Sequence, residues 1–302
     1  MTKKIEQHYI PRVYLKWFQI DEAENKSFVY CIDFSNKFNT KVQRKGLNDT
    51  IFKQKKFYND NRLVDPFAIE DALGKEFEPK YDGIIKAIEL ETSPSTQTVE
   101  DLMTWLYISK LRSPYFRSNT ERVLDKVISI TNAYNRHVPS EEEKSEIDTY
   151  IKRKSREVHL NSFSDMKEAQ ILLELHFQTL NVKHWRILKS RPEFPFWTND
   201  NPGFSPNLNP MFAKDNPFHQ LMELNGNSII LYVLTPKYCL EITPFQEGTP
   251  LDICALNMKI KFEQASLELI DYINQGVFYS RYKLIISNSK GLLETCIKIK
   301  PK

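Results

Sequence analysis

Four side chains spread along the sequence have the types needed for acid–base or metal-assisted chemistry: His8, Glu70, Arg112 and Asp200. His8 stands just before Pro11, a residue suited to the first position of a helix because its missing N–H is not needed there. An imidazole beside the positive end of a helix tends to stay neutral, able to accept a proton or bind a metal ion. The alternative is a histidine that fixes the start of that helix by hydrogen bonds. Asp200 lies in Asn199-Asp200-Asn201-Pro202, where three side-chain acceptors follow a hydrophobic segment directly. A loop after a strand combines rigid support with solvent access, so Asp200 could ligate a metal or orient His8. Equally, Asp and Asn before Pro form Asx-turns that satisfy only the local backbone. Glu70 stands between apolar neighbours on a helix, and Arg112 at a helix end could grip a carboxylate or phosphate with two parallel hydrogen bonds. The two could instead pair as a structural salt bridge, and Arg12 carries the same ambiguity.

A second kind of chemistry is suggested by Lys37 to Lys56. Seven basic residues (Lys37, Lys41, Arg44, Lys45, Lys53, Lys55 and Lys56) face one acid, Asp49, with Phe38 and Phe52 interleaved. That pattern suits a nucleic-acid backbone, or else the solvated face of a small sheet. Over the whole chain, 42 basic residues nearly balance 39 acidic ones, for a net charge of +3, so a nucleic-acid partner would be met only locally. Many other chemistries are excluded. The eight glycines never cluster, which leaves no G-x-G or G-x-x-x-x-G-K turn to cradle phosphates. There is no H-E-x-x-H and no G-x-S-x-G elbow, and His176 and His184 are too far apart along a helix to share one zinc. His137, His159 and His219 lie in polar stretches without an evident partner. Cys31, Cys239, Cys254 and Cys296 form no C-x-x-C and are expected to be buried thiols. No leader-like or membrane-spanning apolar run stands out, which points to a cytoplasmic chain with no membrane partner.

The elements that must carry these residues fall into three zones of one α+β domain over 1–302: a small N-terminal β region (1–65), a central helical block (66–182) and a C-terminal mixed β/α region with a hairpin (183–302). Strands are expected over Ser27 to Phe34 and Thr50 to Tyr58. Helical periodicity begins at Pro66 and is broken or kinked by Pro79, and a helix capped by Thr98 and Asp101 is closed by Pro114. Tyr115 to Arg136 carries Val123, Val127 and Ile130 on one stripe. Ser140 and Glu143 cap another helix, and Ser164 or Asp165 opens an amphipathic one through Met166 and Leu172 to Leu180. Strands follow at His184 to Lys189 and Glu193 to Thr198. Ile229 to Leu234 and Tyr238 to Thr243 form the hairpin around Thr235-Pro236-Lys237. A helix over Lys261 to Asn274 precedes apolar segments at Val277 to Tyr279 and Leu284 to Ile286.

Several of these landmarks, in order, resemble the uncharacterised bacterial domain-of-unknown-function family 4238. Gln7-His8-Tyr9-Ile10-Pro11-Arg12-Val13-Tyr14-Leu15-Lys16-Trp17-Phe18 is similar to that family's opening Q-H-Y-x-P-x-x-Y-L-x-x-F. The likeness continues through Phe57-Tyr58, Ile69-Glu70, Leu111-Arg112-Ser113-Pro114, Trp185 and Phe196-Trp197-Thr198-Asn199-Asp200-Asn201-Pro202. The last resembles the family's S-D-N-P signature, with Asn199 in place of the serine. Leu231 to Pro236 and Val277-Phe278-Tyr279-Ser280 also fit. The resemblance implies a shared fold and a common site without naming a reaction. With its motifs included, Gln7, Arg12, Asn199 and Asn201 are ligand-binding candidates beside the catalytic candidates.

The expected function is hydrolytic: His8 as general base or metal ligand, Asp200 binding Mg²⁺ or Mn²⁺ or orienting the imidazole, and Arg112 stabilising a phosphate-like charge, with Glu70 beside them. A nucleotide or nucleic-acid phosphodiester would be the substrate, met through Lys41, Arg44, Lys45, Lys53, Lys55 and Lys56. The rival is a noncatalytic binding or sensor protein in which the same motifs lock the fold. A toxin or phage-defence context is compatible with either.

Overall fold

The computed structural model describes residues 6–20, 27–35, 41–164, 183–206, 218–220, 229–244 and 260–296. The expected helix over Met166 to Leu180, together with His176, Cys254 and Lys37, lies outside them. The fold is α+β, with a small N-terminal β region, a central helical block and a mixed C-terminal region. Strand β1 (Glu6–His8) leads into helix α1 (Arg12–Lys16), then β2 (Phe28–Asp33), β3 (Val42–Gly46) and β4 (Lys53–Lys55). Strand β1 pairs with β4 alone, setting His8 opposite Lys53. Thr50 to Tyr58 is only partly extended. The Asp49 carboxylate accepts the Ile51 N–H and caps a 3-10 turn at Thr50–Phe52, an Asx arrangement that competes with the strand.

The helical block comprises α2 (Ala68–Ala72), α3 (Glu78–Glu89), α4 (Thr96–Arg112), α5 (Pro114–Tyr134) and α6 (Glu141–Ser164). Pro79 neither breaks nor ends the first pair. A π-helical turn at Leu73–Phe77 joins α2 to α3 and places Pro79 in the first turn of α3, where its absent N–H leaves no bond unmade. Helix α4 starts three residues earlier than the Thr98 cap implied: Ser95 Oγ accepts the Thr98 N–H. Ser113 ends α4 and caps α5, with Pro114 at the first position of the new helix. The Ser140–Glu143 box forms reciprocally, the Ser140 N–H donating to the glutamate and the Glu143 N–H to Ser140 Oγ. The Val123, Val127 and Ile130 stripe exists, but all three side chains are exposed, because α5 packs on α6 through a different face.

Beyond the helices come β5 (Lys183–Lys189), β6 (Thr198–Asn199), β7 (Phe204–Pro206), β8 (Phe218–Gln220), β9 (Ile230–Val233), β10 (Tyr238–Pro244), β11 (Lys261–Gln264), α7 (Leu267–Ser280), β12 (Leu284–Ser287) and α8 (Lys290–Cys296). One sheet has the order β11-β5-β10-β9-β7-β8, with the hairpin β9–β10 at its centre. The other, β3-β2-β12-β6, joins strands from both ends of the chain. Two expectations shift here. Glu193 to Thr198 shrinks to the two-residue β6, since Pro192 and Pro195 interrupt ladder donors. Lys261–Gln264 is an edge strand parallel to β5, not helix, and Ser266 caps α7 only afterwards, so that Val277 to Tyr279 belongs to the helix. Cys31, Cys239 and Cys296 are buried free thiols.

The core is one large apolar cluster, with an aromatic knot at its centre. The Phe77 ring stacks on Trp105 at 4.6 Å, and Tyr81 stacks on Trp105 at 4.0 Å. Helix α7 lies so close to β7 that Gly276 rests against the Phe204 ring, where a methyl group would overlap ring carbons. Gly276→Ala should therefore lower the unfolding free energy by about 1–3 kcal/mol through overpacking. Urea unfolding measures this, and an unchanged midpoint would show that the helix can lift off the sheet.

Candidate functional site

Three of the four predicted catalytic residues gather at the junction of β1, α2, α3 and the end of α4. His8, Arg12, Glu70 and Glu78 line one cavity of about 570 Å³, joined by Asp65 and Asp71. Arg112 does not line it but lies buried behind, bonded to two of the residues that do. Fully buried, its guanidinium donates to Glu78 Oε1 at 2.8 Å and to the His8 carbonyl at 2.8 Å. Burial opposes the guanidinium charge, but Tyr58, Glu78 and Glu70 outweigh it and raise the pKa above its ordinary value. The ion pair expected for Arg112 is real, although its direct partner is Glu78, with Glu70 contributing through space.

The His8 imidazole donates Nε2–H to the Leu47 carbonyl at 3.2 Å, because a carbonyl can only accept. That bond leaves Nδ1 with its lone pair. Burial is the main cause that pulls the His8 pKa from 6.5 to about 4; nearby Lys53 and Arg112 add to it, while the Leu47 bond and Glu78 oppose it. At neutral pH the ring is uncharged.

Asp200 does not line this cavity. Its carboxylate accepts the backbone N–H groups of Tyr282 and Lys283 at 2.8–3.1 Å and so clasps the turn between α7 and β12. Burial pushes its pKa up to about 6, against the pull of those N–H groups and that of Leu284. Asn199 Nδ2 donates to the Val277 carbonyl and to Ser280 Oγ, Asn201 Nδ2 donates to the Ser280 carbonyl, and Asn199 Oδ1 accepts the Asn201 N–H as an Asx-turn would. The serine expected from the family pattern could not reach both acceptors that the Asn199 carboxamide meets. Gln7 is half engaged: its Oε1 accepts the Tyr58 N–H at 2.7 Å, while its buried Nε2 meets no hydrogen-bond partner among the described residues.

The two motifs nevertheless meet, through other atoms. The Tyr14 hydroxyl of α1 bonds Thr198 Oγ1, next to Asn199, and the Val233 carbonyl. Ser113 Oγ, beside Arg112, donates to the Asp200 carbonyl at 3.0 Å. Lys110 Nζ reaches Asn201 Oδ1 at 2.8 Å and the Gly203 carbonyl at 3.1 Å; burial, met by no carboxylate, pulls its pKa down to about 7. His8 and Asp200 thus belong to separate hydrogen-bond networks that share the α4–α5 corner. Among the described residues no group of three or more His, Cys, Asp or Glu side chains is placed to hold a metal ion.

The basic residues divide between two sheets. Arg44 and Lys45 lie on β3, with Arg44 over the Phe28 ring and Lys45 paired with Asp49; Lys41 precedes them. Lys53 and Lys55 are on β4, and Lys56 follows with a positive φ of 49°. Three other residues carry little signal in their sequence neighbourhoods: Glu78, Arg117 and His159. His159, expected in a polar stretch without partner, is fully buried, its Nε2–H donating to the Leu111 carbonyl and its Nδ1 accepting from Arg117 at 2.9 Å. Its spacing from the buried Ile151 and Ser155, eight and four residues before it, is the signal that would have revealed it.

No described helix is long and apolar enough to cross a membrane. No curated protein and no solved structure matches the chain. The model of a protein family of unknown function, DUF4238, matches residues 6–291, nearly the whole chain and every motif placed above, and the chain therefore belongs to that family.

Proposed function

We propose that the His8 cavity is the working site of the protein and that its chemistry is hydrolytic, with His8 as general base. The observation that carries this is the convergence of an uncharged imidazole, its Nδ1 without a partner among the described residues, with Glu70, Glu78 and Arg12 in one cavity, two of whose wall residues a buried arginine holds from behind. Nδ1 would take a proton from water, and Glu78, whose charge already favours the protonated ring, would stabilise the imidazolium. Asp65, Glu70, Asp71 and Glu78 outnumber Arg12 and Lys75 on the wall. That balance favours an uncharged or cationic ester or amide, and a phosphodiester would enter only with Mg²⁺ or Mn²⁺ to offset the carboxylates.

A screen of esters, amides, nucleotides and nucleic acids, with and without these cations, tests the proposal. Turnover should vanish in His8→Ala. The acid limb of kcat/KM should have its midpoint near 4 rather than 6.5. Equal turnover by wild type and His8→Ala would end the hydrolase reading.

The second reading, a noncatalytic binding or sensor protein, is favoured by how completely Asn199, Asp200 and Asn201 are engaged with backbone. Stability separates the two. A base that only borders a cavity loses about 1 kcal/mol with its single bond to Leu47, whereas a structural His8 would lower the melting temperature substantially on mutation to alanine.

A further inference from the structure

A second cavity, of about 540 Å³, opens beside the first turn of α5 and carries the opposite charge. Its walls hold Lys53, Arg117, Lys152 and Lys283 against the acids Asp33 and Glu121. The acids have local partners, Asp33 accepting the Ser35 N–H and Glu121 the Ser155 hydroxyl. The cations outnumber them four to two. Lys152 pairs with Asp148, but Arg117 donates only to neutral acceptors, the Phe57 carbonyl and His159 Nδ1. Lys53 and Lys283 make no ion pair with another described residue. An anion entering this space would meet more positive than negative charge, even though Glu121 acts on Arg117 and Lys152. Flat faces are present too: Tyr9, Phe57 and Tyr282 are on the same wall.

The motifs point to this cavity as well. Tyr9 belongs to the opening Q-H-Y segment, Pro114 ends the L-R-S-P segment, and Asp200 clasps the backbone of Tyr282 and Lys283 where they line the wall. Asp200 thereby acts as a positioning residue, fixing one aromatic ring and one cation. The N-terminal turn of the 21-residue α5 adds the positive end of its dipole.

We propose that this cavity is a binding site for a nucleotide, its phosphate held by Lys53, Arg117 and Lys283 and its base set against Tyr282 and Tyr9. The volume lies within the usual range for small-molecule sites. Basic side chains with an aromatic face are the pairing that recognises a phosphate attached to a base. The site is independent of the hydrolytic proposal, since His8 lines the other cavity.

The test is calorimetric titration of the full chain with adenosine and guanosine mono- and triphosphates, and with inorganic phosphate alone. At least one nucleotide is expected to bind with a dissociation constant below about 1 mM. Lys53→Glu/Lys283→Glu should weaken it at least tenfold, and Tyr282→Ala should weaken the nucleotide more than phosphate. Wild type alone supplies a check that no folding defect can confuse: affinity should fall as salt rises from about 0.05 to 0.5 M. His8→Ala should bind the nucleotide as wild type does, so loss of turnover and loss of binding are separable results. No binding by any nucleotide, unchanged affinity in the double lysine variant or at high salt, or phosphate binding as tightly as the nucleotides would each overturn the proposal.

Discussion

Arg112→Ala is expected to destabilise the protein by about 3–5 kcal/mol, the range seen when one partner of a buried ion pair is removed. Arg112 is completely buried, and its guanidinium joins three elements: the end of α4, Glu78 at the start of α3 and the His8 carbonyl at the end of β1. Truncation removes both bonds, leaves the His8 carbonyl only the long 3.4 Å bond from the Tyr58 hydroxyl and opens a void where the buried side chain was. Glu78 is partly exposed and can turn to water, which softens the loss on its side. Arg112→Lys should recover little, because one ammonium cannot span both acceptors in the arginine geometry. The urea midpoint should fall with the slope unchanged. A loss under about 1 kcal/mol would mean that the ion pair adds nothing to holding β1 on the helical block.

Acid should weaken the fold well above the range where carboxylates usually titrate, and His159 is the main cause. Burial, then neighbouring Arg117, depress its pKa from 6.5 to about 3. A base with a lowered folded pKa gives stability that is complete above its unfolded value of 6.5 and is lost as pH falls, because the unfolded chain takes up the proton first. His8, lowered to about 4, acts in the same direction with a smaller weight because it is partly exposed. Asp200 acts in the opposite direction: raised to about 6, it binds its proton in the folded state first, which relieves the fold on acidification. The net balance between pH 6 and 4 still favours the unfolded chain.

His159→Gln isolates the largest contributor, since a carboxamide can donate to Leu111 and accept from Arg117 without titrating. Between pH 7 and 4.5 wild type should lose roughly 2–3 kcal/mol more than the glutamine variant. Parallel pH profiles for the two proteins would show that His159 does not carry the acid sensitivity.

Local signals in the sequence led directly to much of the fold. Ser140 with Glu143 marks the start of α6, Pro114 marks the α4–α5 corner, and Thr235-Pro236-Lys237 lies between two apolar runs that pair as β9 and β10. The errors came where distant pairing decided the outcome. Lys261–Gln264 has no intrinsic reason to be a strand until the edge of β5 is there to receive it. The π-turn before Pro79 is set by how α2 and α3 share the core, which a periodicity of 3.6 does not encode. The site shows the same division. Residue type and motif grouped His8, Glu70 and Arg112 with Asp200; the fold puts His8 and Glu70 on one cavity, bonds Arg112 to the His8 carbonyl behind it and leaves Asp200 elsewhere. That Glu78 is the arginine's direct partner was not legible, because the pairing depends on the register of α3 against α4. Asp200 looked chemical because carboxylates often are, yet two backbone N–H donors from a turn more than eighty residues away claim it.

The pairing of β2 with β12 also bears on how the chain is made. Asp33 lies opposite Leu284, so the inner edge of the β2–β3 pair stays open until about 250 further residues have been made. At cellular translation rates that wait lasts roughly ten seconds to a minute. Throughout it, the edge of Phe28–Asp33 offers unpaired backbone groups and the apolar side chains of Val29, Cys31 and Ile32 to any strand nearby. During synthesis the nascent protein is therefore vulnerable along β2 until β12 closes that edge.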